Sequence, residues 1–152
     1  MGFLRNVLVT AALGTVATTV TTLILGKREL GLPAAPLNAT SHIAFGDEAA
    51  EQDTFSAKYT LTGGAINASA MLSWAVLQEL VLGRWVRRGG AERALVAGVA
   101  TSAVAYVTDY HVVPERLTPG FEKRFSAGAL AVVYSALAVS LALGVGKARF
   151  FR

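Results

Sequence analysis

Residues 125–146, FSAGALAVVYSALAVSLALGVG, contain no charged side chain over 22 positions. A transmembrane α-helix needs about 20 predominantly apolar residues, because each residue adds about 1.5 Å toward a hydrocarbon core about 30 Å thick. This stretch is therefore long and apolar enough to cross a membrane, and it sets the class of fold for the rest of the chain.

Three further stretches have the same character. Residues 6–26 carry no charge over 21 positions, residues 59–78 carry none over 20, and residues 94–108 carry none over 15 before Asp109. Asp109 must lie near the headgroups, face the interior of a helix bundle or find a partner. We predict four spans, at about residues 4–26, 58–82, 93–113 and 121–146.

The composition excludes intrinsic disorder and argues against a soluble domain. Of the 152 residues, 53% are hydrophobic and 16% are charged, whereas soluble domains carry about 25% charged residues. Residues 30–46 are also uncharged, but they contain two prolines and a polar run, so we expect an ordered loop that lies over or dips into the bundle. The predicted fold is a single all-α domain, an antiparallel bundle of four transmembrane helices with this ordered first extracytoplasmic loop.

Two local patterns predict where helices begin. Thr118 followed by Pro119 is typical of an N-cap with proline at the first helical position, so the fourth helix is expected to start before its apolar run. Asp47, followed by Glu48 and Glu51, predicts the start of a short helix, because acidic residues are favoured at the positive end of the helix dipole.

Basic residues flank the spans and indicate the orientation. With four spans, the N-terminus, the loop at residues 84–93 and the C-terminus share one side, which holds eight Lys or Arg against six on the other. This bias favours both termini in the cytoplasm. The first apolar segment is longer than the 7–15 residues typical of a signal peptide, so we expect it to be retained as a membrane helix.

Small residues recur on the predicted helices at intervals that favour close packing. Lipid offers little hydrophobic drive for helix association, so small side chains and interhelical hydrogen bonds have to supply it. The predicted packing positions are Gly14, Thr18, Thr22, Gly98, Gly128 and Gly144.

The second span carries three polar residues, Asn67, Gln78 and Glu79. Buried amides in membrane helices commonly form interhelical hydrogen bonds, and a glutamate near a span end commonly pairs with a neighbouring arginine, here one of those at positions 84, 87 and 88. Alternatively, these three side chains and Asp109 line a path for a transported ion or solute.

A metal site is a further hypothesis for the extracytoplasmic end. The only two histidines, His42 and His111, fall in the two loops expected there, together with Asp47 and Asp109. Imidazole and carboxylate groups are suitable ligands for a divalent metal such as zinc. The spacing matches no known metal motif, and two loop histidines also serve commonly as structural hydrogen-bonding residues.

Other classes of activity find no support in the sequence. It contains no nucleophile elbow, phosphate-binding loop or dinucleotide-binding motif, and no cysteine, so we expect no catalytic activity and no cofactor other than the possible metal. The basic residues flank apolar spans and do not form one face with aromatic residues, so we expect no nucleic-acid partner.

Two segments resemble uncharacterised small inner-membrane proteins of Gram-negative bacteria. They are SHIAFGDEAAEQDTFSAKYTLTGGAINASAMLSWAVLQE at residues 41–79 and VTDYHVVPERLTPGFEKRFS at residues 107–126. The resemblance implies four helices in a bacterial inner membrane and implies no activity. Where members of that group carry paired histidines in the second span, this chain has Asn67 and Ala68, which weakens the case for an intramembrane metal site.

The sequence thus predicts a small multi-pass membrane protein that acts as a non-catalytic accessory, assembly or structural subunit. Its expected partners are the lipid bilayer and either other membrane subunits or further copies of itself. The alternatives are a small transporter or ion-conducting oligomer and a metal-handling protein with an extracytoplasmic histidine and carboxylate site.

Overall fold

Four long helices account for most of the chain. The computed structural model describes residues 2–150, and within them every regular element is helical and no strand occurs. In chain order the elements are α1 Phe3–Leu25, α2 Ala35–Thr40, α3 His42–Phe45, α4 Thr62–Arg87, α5 Ala91–Val107 and α6 Ala127–Phe150.

Short turns of other helical types join these elements. π turns extend α1 over Gly26–Leu30, precede α4 over Ala57–Leu61 and follow α5 over Thr108–Val112. The remaining turns are 3-10 helices at Asp47–Glu51, Glu115–Leu117 and Phe121–Lys123. The first of these confirms the short helix predicted to start at Asp47.

Three helices in the described part of the chain are long and apolar enough to cross a membrane. They are Phe3–Leu30, Ala57–Arg87 and Ala127–Val145. The predicted third span is helical, as α5 and the π turn that follows it, but it is not among the three helices that meet this criterion. The structure therefore shows an all-helical protein with three helices capable of crossing.

Helices α1 and α4 run antiparallel. Asn6 contacts Glu79 near one end of the pair, and Thr18 contacts Asn67 further along it, so numbering rises on one helix as it falls on the other. Both contacts are hydrogen bonds between side chains, and they fix the register of the two helices.

Helix α6 packs antiparallel against both α1 and α5. Gly144 lies against Thr10 at one end of α1, while Glu29 accepts a 2.8 Å hydrogen bond from Ser126 at the other. On α5, Ser102 Oγ donates a 2.6 Å hydrogen bond to the backbone carbonyl of Tyr134. The four long helices thus alternate in direction around a shared interior.

Small residues permit this packing at most of the predicted positions. Gly14 lies against Met71, where an added Cβ would come within 3.3 Å of its sulfur atom, and at Gly98 an added Cβ would overlap the backbone of α6. Thr18 and Thr22 are both buried. Gly128 differs, because it is exposed and an added Cβ would meet only Ser126, so the structure does not support it as a packing position.

Residues 31–56 and 113–126 together cover one end of the helices, and we call these two segments the cap. Residues 34–42 are buried throughout, and α2 presses so closely on α4 that a Cβ at Gly63 would overlap the carbonyl oxygen of Leu37. The fully buried Asn38 donates to the carbonyls of Gln52 and Thr54 and accepts from Thr60 at 2.6 Å. The segment predicted as a loop over residues 30–46 is ordered and dips into the bundle, but most of it is helical, as α2 and α3.

The two halves of the cap are joined by ion pairs and by one close backbone contact. Lys123 pairs with Asp47 at 2.9 Å and Arg124 pairs with Asp53 at 2.8 Å. Gly120, at φ +81°, lies against the carbonyl of Ala39, where a Cβ would not fit. This left-handed backbone conformation favours glycine because it has no Cβ.

The docking of residues 118–125 corrects one prediction. Thr118 does not cap the fourth helix, since the positive φ of Gly120 interrupts the chain before a helix can form. The helix begins at Ala127, and Ser126 Oγ accepts a 3.2 Å hydrogen bond from the backbone N–H of Ala129. The predicted start near residue 121 is therefore several residues too early.

Candidate binding cavity

The three π turns lie at the same end of the helices, next to the cap. A π turn widens the helix by one residue and occurs frequently at functional sites. The turn at Thr108–Val112 carries Asp109, and the turn at Ala57–Leu61 carries Thr60, which bonds the buried Asn38 of the cap. The backbone is thus least regular where the helices meet the cap.

A cavity of about 90 Å³ lies beneath the cap, between α1, α4 and α6. Its wall is mainly apolar, and the cap contributes several of its residues. The apolar lining consists of Ile43, Ile66, Ala70, Met71, Leu117, Pro119, Phe121, Val133 and Leu137. The polar lining consists of Thr18, Thr40, Asn67, Asp109 and Tyr134. An apolar cavity with a few convergent polar groups is the usual form of a small-molecule site.

Asp109 supplies the only carboxylate among the lining residues of this cavity. Tyr134 Oη donates a 2.6 Å hydrogen bond to Asp109 Oδ2. The ring of Tyr134 lies 5.3 Å from that of Tyr106 and 6.0 Å from that of Tyr110, and both contacts are edge-to-face. Three tyrosine rings therefore surround the segment that carries this carboxylate.

Asn67 joins α4 to α1 at the wall of the cavity. Its Nδ2 donates to Thr18 Oγ1 at 3.0 Å and to Thr19 Oγ1 at 3.2 Å. Thr18 Oγ1 in turn donates to the carbonyl of Gly14 at 2.8 Å. Asn67 thus acts as an interhelical hydrogen-bonding residue as well as lining the cavity.

Gln78 and Glu79 lie apart from this cavity, toward the opposite end of the helices. Gln78 is buried and donates from Nε2 to the carbonyl of Leu141 at 3.0 Å. Glu79 is also buried, accepts from Asn6 at 3.1 Å and forms an ion pair with Arg87. The two residues tie α4 to α6 and to α1, and neither lines the cavity that holds Asn67 and Asp109.

The four candidate metal ligands occupy different surroundings. His42 is buried, and its Nε2–H donates to the carbonyl of Thr118 at 2.9 Å, because a carbonyl oxygen only accepts. Asp47 is exposed and pairs with Lys123, which holds the pKa of the Asp47 carboxyl below its usual range. These two residues line a surface pocket of the cap.

The other two candidate ligands lie on the α5 side of the molecule. Asp109 lines the internal cavity and His111 is exposed, with its ring 5.9 Å from that of Tyr106. Within the part of the chain that the structure describes, no group of three or more His, Cys, Asp or Glu side chains is placed to hold a metal ion. The divalent metal stays a hypothesis that this geometry does not favour.

Sequence reasoning missed several residues of the site. Tyr106 and Tyr110 are four residues apart on either side of Asp109, a helical spacing that places them on one face and would have drawn attention to them. Tyr134 carries no such signal, since it comes from another helix. Asn6 likewise gives no local indication that it bonds Glu79.

Comparisons with known proteins gave no match. No protein-family model matches the chain, and neither a curated protein nor a solved structure matches it. The fold and its apolar helices define the class, a helical membrane protein with a small cavity beneath an ordered cap.

Proposed function

We propose that this protein is a four-span subunit of a bacterial inner-membrane complex, with an accessory, assembly or structural role and no catalytic activity of its own. The observation that carries the proposal is an apolar groove of about 420 Å³ on the outer surface between α1 and α6. Its shape and chemistry suit one apolar transmembrane helix of another subunit.

The groove follows the spacing of a helix, and four of its eight lining residues are Ala or Ser. Its lining residues are Leu13, Ala17, Val132, Ser135, Ala136, Val139, Ser140 and Leu143. Ser135 and Ser140 donate their hydroxyls to carbonyls of their own helix, so the groove presents no unsatisfied donor to lipid. Small residues allow a partner helix to approach closely, which is the main source of helix association in membranes.

The proposed fourth crossing is α5, and its packing supports it. α5 and its π turn together run from Ala91 to Val112, and they pack antiparallel to α6, which is long and apolar enough to cross. At 1.5 Å per residue this segment reaches about 33 Å, close to the thickness of the hydrocarbon core. The hydrogen bond from Tyr134 to Asp109 lowers the cost of a carboxyl group near the membrane.

An accessory role is favoured over transport because each of the three polar residues singled out in the second span hydrogen-bonds a neighbouring helix. Asn67 bonds Thr18 and Thr19, Gln78 bonds the α6 backbone, and Glu79 bonds Asn6 and Arg87. A conducting path requires polar groups that face water along their length. The arrangement supports a role in holding helices together.

The orientation proposed is with both termini in the cytoplasm and the cap outside. The turn between α4 and α5 is flanked by four arginines, Arg84, Arg87, Arg88 and Arg93. Arg93 also lies over the ring of Trp85, 5.2 Å from its centroid, a pairing suited to the membrane interface. The basic residues on this side agree with the positive-inside rule.

Site-specific crosslinking in native membranes tests the groove. The chain has no cysteine, so a single-cysteine variant carries one unique attachment point for a thiol-linked photocrosslinker. Val139→Cys places the probe in the groove, and Leu72→Cys places a matched probe on the exposed face of α4. We expect Val139→Cys to give one adduct with a different membrane polypeptide at natural expression level, and Leu72→Cys to give none.

A groove-filling substitution makes the test specific. Ala136→Trp combined with Val139→Cys should abolish the adduct, whereas Ala65→Trp on an exposed site of α4 should leave it unchanged. An adduct of twice the chain mass would replace the accessory role with self-association. Equal adducts from positions 72 and 139, or none from position 139, would contradict the proposed interface.

A further inference from the structure

Asp109 presents to the cavity beneath the cap a carboxylate of which one oxygen bonds no protein group among the described residues. Asp109 Oδ2 accepts from Tyr134, but Oδ1 accepts no hydrogen bond from any described side chain. Asn67 and Thr18, which share the cavity wall, are bonded to each other. A ligand that supplies a hydrogen-bond donor to Asp109 would therefore complete the hydrogen bonding of this wall.

A second carboxylate, that of Glu122 in the cap, lies near Asp109. Its Oε1 accepts from Thr118, and its Oε2 is buried without a hydrogen-bond partner. Among the described side chains no Lys or Arg forms an ion pair with Asp109 or Glu122. A cationic group of a ligand would therefore complement the carboxylate of Asp109.

The rest of the cavity wall is apolar and therefore favours an apolar group in the ligand. Met71, Val133 and Leu137 line the cavity away from the carboxylate. An engineered apolar cavity of about 150 Å³ binds benzene. The cavity of about 90 Å³ therefore suits an apolar group smaller than benzene, such as a short chain of methylene groups.

We infer that this cavity binds the ammonium group of a short alkylamine, with the ammonium at Asp109 and the alkyl chain against Met71, Val133 and Leu137. The ammonium donates to Oδ1 of Asp109, and the neighbouring tyrosine rings add cation–π attraction. Removal of the alkyl chain from water supplies the second part of the affinity. This site lies inside the bundle, so the inference is independent of the partner proposed for the outer groove.

Calorimetric titration of the purified full-length protein in lipid nanodiscs tests the inference. The probes are propylammonium, propanol and propanoate, which share a three-carbon chain and differ in charge. We expect saturable binding of propylammonium at neutral pH, binding of propanol weaker by about tenfold or more, and no binding of propanoate. Equal binding of the three probes to protein-containing and empty nanodiscs would overturn the inference.

Variants separate the charged end of the site from its apolar end. Asp109→Asn should weaken propylammonium binding by about tenfold or more and leave propanol binding unchanged, whereas Glu51→Gln, at an exposed position of the cap without an ion pair among the described side chains, should change neither. Ala70→Leu should reduce the binding of both probes by filling the cavity, with Ala65→Leu on an exposed site as its control. Unchanged propylammonium affinity in Asp109→Asn would overturn the assignment.

One further variant covers the possibility that Asp109→Asn does not fold, which circular dichroism would reveal. Tyr134→Phe removes the hydrogen bond to Oδ2 and keeps the carboxylate and the ring. Because Oδ2 then becomes a second free acceptor, propylammonium binding should be retained or strengthened and propanol binding unchanged. Loss of propylammonium binding in a folded Tyr134→Phe protein would contradict the role given to the carboxylate.

Discussion

Asn6 and Glu79 lie 73 positions apart in the chain, and Asn6 Nδ2 donates a 3.1 Å hydrogen bond to Glu79 Oε1. Glu79 also pairs with Arg87, two turns further along α4, so one buried carboxylate joins the first turns of α1 to the last turns of α4. A buried carboxylate needs such partners, because its transfer from water is costly when it is unpaired.

The first prediction is that Arg87→Ala destabilises the protein, while Arg88→Ala does not. Removal of Arg87 leaves the carboxylate of Glu79 buried with only Asn6 as its partner. The side chain of Arg87 is 41% exposed, so water screens the pair and the expected loss is about 1–2 kcal/mol, below the 3–5 kcal/mol of a fully buried pair. Reversible unfolding in detergent micelles measures the difference, and equal stability of the two variants would contradict it.

The second prediction concerns Asn67. Asn67→Ala removes its hydrogen bonds to Thr18 and Thr19, and interhelical bonds of this kind contribute about 0.6 kcal/mol on average and at most about 1.7 kcal/mol. Ser69→Ala is the matched control, because Ser69 is exposed and bonds only the carbonyl of Ala65 in its own helix. The same unfolding measurement should show a loss for Asn67→Ala and none for Ser69→Ala; the reverse order would contradict the assignment.

The helices could be predicted from the sequence because lipid imposes a simple requirement. A segment that crosses a membrane must be apolar and satisfy its own backbone, so uncharged runs mark the helices directly. The prediction that residues 30–46 form an ordered loop rested on the same requirement, applied to Pro33 and Pro36. Both inferences depend on local composition, which one sequence contains in full.

The site could be predicted only in part, because its geometry depends on contacts between distant segments. Asn67 and Asp109 were recognised as polar residues in apolar segments, but that they line one cavity follows from packing. The start of α6 was misplaced because the Thr118 and Pro119 pattern is local, whereas the docking of Gly120 on Ala39 is not. Gly128 was chosen because small residues recur at a regular interval on its helix. That interval defines one face of the helix, but it does not show whether another helix packs against that face.

The third prediction concerns orientation. A reporter that is active only in the cytoplasm should be active when fused at Gly90, in the turn between α4 and α5, and at the C-terminus. A fusion at Asp53, in the cap, should be inactive, since it lies beyond the opposite ends of the helices. Activity at Asp53 together with inactivity at Gly90 would reverse the proposed orientation.

The fourth prediction uses two adjacent glycines of α4. Gly63→Ala should destabilise the protein by about 1–3 kcal/mol, because the new Cβ would overlap the carbonyl oxygen of Leu37 in the cap and force a backbone shift. Gly64→Ala has nothing within 4 Å of its new Cβ, so it should be neutral or stabilising by up to about 1 kcal/mol, since alanine is the better helix former. Unfolding measurements that place the two variants at equal stability would contradict the contact between α2 and α4.

The fifth prediction is a pH dependence that arises from the cap. The ammonium of Lys123 beside Asp47 holds the pKa of the Asp47 carboxyl below its ordinary value of 3.8. A carboxyl group whose pKa is lower in the folded state binds fewer protons there than in the unfolded state, so it stabilises the fold above pH 3.8 and that stabilisation is lost as the pH falls through the folded-state pKa. We therefore expect the melting temperature of Asp47→Asn to be lower than that of the wild type near neutral pH. The two melting temperatures should converge as the medium becomes more acidic than pH 3.8.

Glu51→Gln is the control, because Glu51 is exposed and forms no ion pair among the described side chains. A difference between Asp47→Asn and the wild type that stays constant through this acidic range would show that the ion pair with Lys123 does not stabilise the cap.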